Sequence, residues 1–250
     1  MALFCKKIRL LVFPPALFPV LLLTAIGAAL IMPILAASRP ASIYLGFPLK
    51  SVRILIDPGH GGIDPGTCHN GAFTEKEIVL AVGLELSRLL KQAGAEVLMT
   101  RETDEDISRY IPGDPAYRYQ RDLQGRVKLI NQSGADLFVS LHIDYIHDPA
   151  VRGAIVFYCR SRPENKLLAE IIQKNLNPVV AVNPQPHQFI HQSIREGSYL
   201  ILNSAEIAGV LVEMGFMSSP DDRALLKQDG YRNKLAQALL IGITEYIYSR

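Results

Sequence analysis

The sequence predicts one three-layer α/β domain, a mostly parallel twisted sheet with helices on both faces, preceded by an N-terminal transmembrane helix. Three observations carry this expectation. Short apolar runs alternate along the chain with segments of helical periodicity, as strand–helix units of a parallel sheet require. The 250 residues, 49% hydrophobic and 20% charged, are enough for a substantial core and exclude a disordered or collagen-like chain. Finally, Leu10–Ala37 runs for 28 residues without a charge.

That run begins poorly as helix, with Pro14, Pro15 and Pro19, but Ala16–Ala37 still offers 22 residues. At 1.5 Å per residue this spans about 33 Å, enough for a bilayer core. Lys6, Lys7 and Arg9 precede it, which holds them in the cytoplasm and places the remainder outside. A cleaved signal peptide is the alternative, with Ala36-Ala37-Ser38 as a small-residue cleavage site and a secreted product. Residues 1–38 are therefore expected to be a signal-anchor, 39–50 a linker carrying Pro40, Ser42, Gly46 and Pro48, and 51–250 the functional domain. Four of the 26 basic residues and no acidic ones lie in 1–39, leaving 22 basic against 24 acidic residues beyond. Such a balance has no basic footprint for nucleic acid. Three cysteines exclude a disulfide-built scaffold, and Cys68 and Cys159 are expected as free thiols.

The elements follow in order. Val52–Asp57 reads as a short buried strand. Glu75–Ala93 is helical, with Ile78, Val82, Leu86 and Leu89 on one face and Gly94 after its end. Glu96–Thr100 is the next strand, and Leu123, Val127 and Ile130 stripe a helix that stops near Gly134. Leu137–His142 and Ala154–Tyr158 are strands, Glu164–Leu176 a helix, Val210–Glu213 a strand and Tyr231–Tyr248 a closing helix. In sheets of this kind ligands bind outside the carboxyl ends of the strands. Asp57-Pro-Gly-His60, His142 and Glu213 all fall there.

Those residues carry chemistry together. His60 lies in a Gly- and Pro-rich loop that leaves its imidazole open to a metal; alone it reads sooner as an incidental turn residue. Thr74 and Glu77 have capping-box spacing, which leaves Glu75 free at the first helical position, where the helix dipole favours its ionised form; alone it is a first-turn acid. His142 ends a buried strand. Two His and one Glu are a ligand set of catalytic zinc, with a fourth position left for water. Glu213 ends an apolar strand, where an ionised carboxylate needs a partner. It suits a general base beside the metal; otherwise it pairs with a buried arginine such as Arg126.

With these motifs in order, the sequence resembles the zinc-dependent N-acetylmuramoyl-L-alanine amidases of bacterial cell walls and phages. The likeness runs from about Val52 to Ile247 through Ile56-Asp-Pro-Gly-His-Gly-Gly62, Glu75-Lys76, Leu98-Met-Thr-Arg101 with Asp104, Arg126 with Asn131, Ala135–His142 and Val212-Glu-Met-Gly-Phe216. The resemblance implies one Zn2+ on His60, Glu75 and His142, Glu213 as the catalytic glutamate, and peptidoglycan as substrate. Arg126 would orient a carboxylate of the protein or of the stem peptide, a substrate-binding role. The bond cut would join the lactyl group of N-acetylmuramic acid to L-alanine. Gln124–Asn131, Glu164–Glu170, Tyr199-Leu200 and Leu225-Leu226 resemble the germination-specific amidases of spore formers, which implies a role in making muramic-δ-lactam of the spore cortex. A regulatory protein partner is left open. A zinc peptidase acting within the stem peptide and a catalytically silent wall- or partner-binding protein are the competing readings.

Asp144 stands where the family often has Asn, and Ser218-Ser219 where it often has Ser-Asn. Pro178–Gly197 matches poorly and is expected as an exposed loop or short helix; His187 and His191, four apart within it, make a second metal site only an outside alternative.

Overall fold

The computed structural model describes residues 49–71, 73–182 and 185–250. The transmembrane helix expected within residues 1–38, and the linker up to residue 48, lie outside them. Among the described residues no helix is long and apolar enough to cross a membrane.

The elements run β1 (Arg53–Pro58), β2 (Cys68–His69), β3 (Phe73–Thr74), α1 (Glu75–Gln92), β4 (Glu96–Met99), α2 (Arg118–Gln132), β5 (Leu137–Asp144), β6 (Val151–Gly153), β7 (Ile155–Tyr158), α3 (Pro163–Val180), β8 (Phe189–His191), β9 (Arg195–Glu196), α4 (Leu200–Ser204), β10 (Ala208–Phe216), α5 (Pro220–Leu226) and α6 (Asp229–Tyr248). The main sheet has the order β4-β1-β5-β10-β7-β9. β4, β1, β5 and β10 are parallel, β7 is antiparallel to β10, and β9 is parallel to β7. The reversal at β7 follows from the chain: a parallel return needs a crossover of about a dozen residues or more, usually helical, and no helix lies between β5 and β7.

Alternation along the strands sorts two cores. Ile54, Ile56, Leu137, Val139, Leu141, Val210 and Val212 face α1, α3 and α6, meeting Val82, Leu86, Leu168, Ile172, Leu239 and Ile243. Leu55, Phe138 and Leu211 point the other way, against Ile130 of α2 and Ile201 and Leu202 of α4. Helices thus cover both faces, and the central strands are apolar on both sides, as buried parallel strands are. Leu49, assigned to the linker by sequence, is buried in the first core and donates its N–H to Ala93 O at 2.7 Å.

Two local expectations are corrected. Thr74 is the N-cap of α1, but its side chain makes no capping bond and Glu77 is exposed, so the capping box does not form. The preceding loop does the work instead: Thr67 O accepts from Glu75 N at 2.9 Å and Pro65 O from Lys76 N at 3.2 Å. Thr74 itself pairs with Cys68 in the β2–β3 ladder. The segment after α3 is not an exposed loop or short helix either. It forms β8, parallel to β6, and β9 on the sheet edge. His191 is buried between Phe189 and Phe216 while His187 is exposed, so the two do not share a site.

Candidate metal centre

β1, β5 and β10 are neighbours in register, with Glu213 opposite His142, so their carboxyl ends open on one edge of the sheet. The loop after β1 folds back over that edge. His60 sits there at φ 59°, a left-handed conformation uncommon outside glycine and often found at functional sites. Two glycines let the site close. A Cβ on Gly59 would lie 2.2 Å from Cε1 of His142, and one on Gly66 (φ +67°) would meet Oε2 of Glu75 at 2.6 Å.

His60, Glu75 and His142 converge: each offers a ligand atom, and these all lie within 4.8 Å of one another. Oε1 of Glu75 is 3.1 Å from Nε2 of His60 and 3.0 Å from Nδ1 of His142. Glu75 is 1% exposed. Its Oε2 accepts from Thr67 N at 2.8 Å and Thr67 Oγ1 at 2.9 Å, and Oε1 from Ile143 N at 2.9 Å. Burial alone would raise this carboxyl, but the two imidazoles outweigh it and hold it well below the usual carboxylate range. His60 behaves conversely: burial disfavours its charge, yet Asp64 and Glu75 on its two nitrogens push it up to about 9. The pocket is built to contain positive charge. Two imidazoles and a buried ionised carboxylate, turned to one point, suit a divalent cation.

Glu213 stands beside this group, 7% exposed, with Oε2 lacking any hydrogen-bond partner among the described residues. Burial, then the Glu75 and Asp144 carboxylates, raise its pKa well above the ordinary value. It does not pair with Arg126. That guanidinium, 2% exposed, donates from Nε to Asp122 at 2.7 Å, from Nη1 to Asp57 at 2.7 Å and Pro58 O at 2.8 Å, and from Nη2 to His60 O at 2.5 Å. The carboxylates it orients in this structure are the protein's own.

The remaining motif residues form the scaffold. Fully buried Asp57 accepts from Thr100 at 2.6 Å and Ser140 at 2.7 Å as well as from Arg126, tying β1 to β5 and to the end of β4. Arg101 donates to the carbonyls of Pro58, Gly59 and Lys76, and Asp104 accepts from Gly62 N and Lys76 Nζ. The His60 loop is thereby clamped from three sides.

Sequence reasoning passed over Asp64 and Thr67. Asp64 Oδ2 lies 2.8 Å from Nδ1 of His60, which leaves Nε2 for a ligand; its signal was the four-residue spacing within one rigid loop. Asp144 does lie near the site, and burial followed by Glu75 raises its carboxyl. Cys68 and Cys159 are free, as expected. A cleft of about 340 Å³ at the His60–His142 edge is lined by Tyr119 and Leu123 of α2, by Ser198, Tyr199 and Leu200, and by Glu213.

The chain is similar to several known proteins. The germination-specific N-acetylmuramoyl-L-alanine amidase of Bacillus subtilis is 36% identical over 199 residues, covering 80% of this chain and 81% of that protein. The CwlD amidase of Clostridioides difficile, solved in complex with the GerS lipoprotein, superposes with a TM-score of 0.70 at 33% identity, covering 80% of this chain and 100% of that one. The catalytic domain of CwlV, the amidase of Bacillus (Paenibacillus) polymyxa, gives 0.65 at 28%, covering 80% and 99%. The family model described as N-acetylmuramoyl-L-alanine amidase matches residues 54–245. The chain belongs to the N-acetylmuramoyl-L-alanine amidase family and, like its relatives, is a hydrolase.

Proposed function

We propose that the chain hydrolyses the amide between the lactyl group of N-acetylmuramic acid and L-alanine of the peptidoglycan stem peptide, with one zinc ion held by His60, Glu75 and His142. The observation that carries this reading is the convergence of three donor side chains on one point with a buried, unpartnered Glu213 next to them. Zinc, when bound, supplies Lewis-acid activation of water and of the amide carbonyl. The protein supplies the rest. Asp64 fixes the tautomer of His60, and Thr67 and Ile143 N hold the Glu75 carboxylate in place. Glu213 takes a proton from the attacking water and delivers it to the departing L-alanine nitrogen, so that the C–N bond breaks to a lactyl carboxylate and a free amine. A cation held by His60, Glu75 and His142 would offset the Glu75 charge, which after burial is the first of the two carboxylates that raise Glu213. Arg126 serves by positioning the Asp57–His60 turn.

The likeness to a germination-specific amidase supports a place in spore-cortex maturation, where stem-peptide removal precedes muramic-δ-lactam formation. The uncharged run Leu10–Ala37 supports anchoring in the cytoplasmic membrane with the catalytic domain on its outer side. The lipoprotein bound to the C. difficile relative supports a regulatory protein partner here as well.

Muropeptide analysis of wall digested with the zinc-loaded chain tests the activity. Free stem peptides and unsubstituted glycan are the expected products. Truncated peptides still joined to muramic acid would instead make it a peptidase, and an unchanged profile a binding protein.

A further inference from the structure

As the proposed reaction proceeds, the amide carbonyl oxygen gains negative charge, and donors aimed at that charge are worth most in a dry cleft. Few are free to serve. Arg126 is committed to Asp57, Asp122 and two main-chain carbonyls. Asp57, Asp64 and Asp122 face the cleft as engaged acceptors. Ser198 Oγ accepts from Asn203 Nδ2 at 3.0 Å and keeps its own proton, which leaves it a second donor on this lining. Tyr119 stands at the rim, 57% exposed.

Tyr199 is placed differently. Its ring packs edge-on against Phe157 with centroids 5.2 Å apart, and it lies over Gly197, where a Cβ would come within 2.6 Å of Cε2. The ring, 38% exposed, is seated on these two residues, and the hydroxyl makes no hydrogen bond to the protein among the described residues. It lines the same cleft as His60, His142 and Glu213, and it feels the carboxylates of both Glu213 and Asp144. Burial, then those two charges, push its pKa up to about 12, so the phenol keeps its proton at neutral pH.

We propose that Tyr199 contacts the substrate, its hydroxyl donating a hydrogen bond to the oxygen of the scissile carbonyl as charge develops there. The inference rests on the amidase reading above.

The test is Tyr199→Phe in the full, zinc-loaded chain, with kcat and KM measured separately on a soluble muramoyl-peptide. Phenylalanine preserves the packing on Phe157 and Gly197, so zinc content and thermal midpoint should match the parent. The expected result is a fall in kcat of about 10²–10³-fold with KM little changed. A phosphinate analogue of the reacting centre should lose affinity by a comparable factor. A kcat within about threefold of the parent overturns the inference, as does a loss confined to KM, unaltered phosphinate binding, or a variant that sheds zinc or melts earlier. An inactive zinc-loaded parent chain sinks the amidase reading itself, and the inference with it, so the two failures are told apart.

Discussion

Asp64 lies outside the ligand set, yet its replacement by Asn should disable the site. Its Oδ2 sits 2.8 Å from Nδ1 of His60 and its Oδ1 accepts from Gly66 N at 3.0 Å. A carboxylate can only accept, so it keeps the imidazole proton on Nδ1 and leaves the Nε2 lone pair for a metal. An amide in the same place offers an acceptor to one neighbour and a donor to the other. With its oxygen toward Gly66, its NH2 faces Nδ1 and drives the ring proton to Nε2, where it blocks ligation. With the amide flipped, two donors meet at Gly66. The first arrangement costs the ligating lone pair and the second a hydrogen bond, and partners of this kind typically change metal affinity by about 10–100-fold, or roughly 1.4–2.7 kcal/mol. Asp64 is half-buried, so the fold should survive. Competition against a zinc chelator measures the affinity, with thermal unfolding of the metal-free chain as control. A Kd within twofold of the parent would refute the orienting role, and a large drop in the metal-free midpoint would show that Asp64 acts on the loop instead.

Three further outcomes are expected. Glu213→Gln keeps the shape and should retain zinc at parent stoichiometry while kcat falls by about 10²–10⁴-fold; a parallel loss of zinc would make Glu213 a ligand. Arg126→Met strands two buried carboxylates, so urea denaturation should register about 3–5 kcal/mol of lost stability, whereas a change under 1 kcal/mol contradicts the scaffold described here. Burial pushes the Asp222 carboxyl up to about 6 from an unfolded value near 3.8, even though Gly153 N and Phe216 N both donate to it. The folded state therefore binds this proton more tightly. The contribution, about 3 kcal/mol, is fully present below the unfolded pKa and lost as pH rises through about 6. Asp222→Asn should flatten the decline in stability between pH 4 and pH 6, and an unchanged slope would remove Asp222 as its source.

Much of this was legible because apolar periodicity and strand-end chemistry are local. Ile54–Ile56, Val139–Leu141 and Val210–Val212 announce buried strands, and each is followed by a polar residue at the same edge of the sheet. What local pattern misses depends on neighbours distant in sequence. The Thr74 side chain makes no cap, and carbonyls of the preceding loop take the N–H groups of Glu75 and Lys76 instead. β8 is a strand only because β6 is there to pair with it. Arg126 could be read as a partner for Glu213 until β1 brought Asp57 within reach. Asp64 was visible in the loop, but its role is a matter of which ring nitrogen it faces, and that needs coordinates.

X-ray absorption at the zinc edge tests the shared-ion claim most directly. For the zinc-loaded chain we predict a first shell of two imidazole nitrogens at about 2.0–2.1 Å with oxygen from one carboxylate and solvent at about 2.0–2.2 Å, and one imidazole fewer in His142→Ala. A sulfur scatterer near 2.3 Å, placing the ion on Cys68 or Cys159, or a shell unchanged by that substitution, would contradict the account.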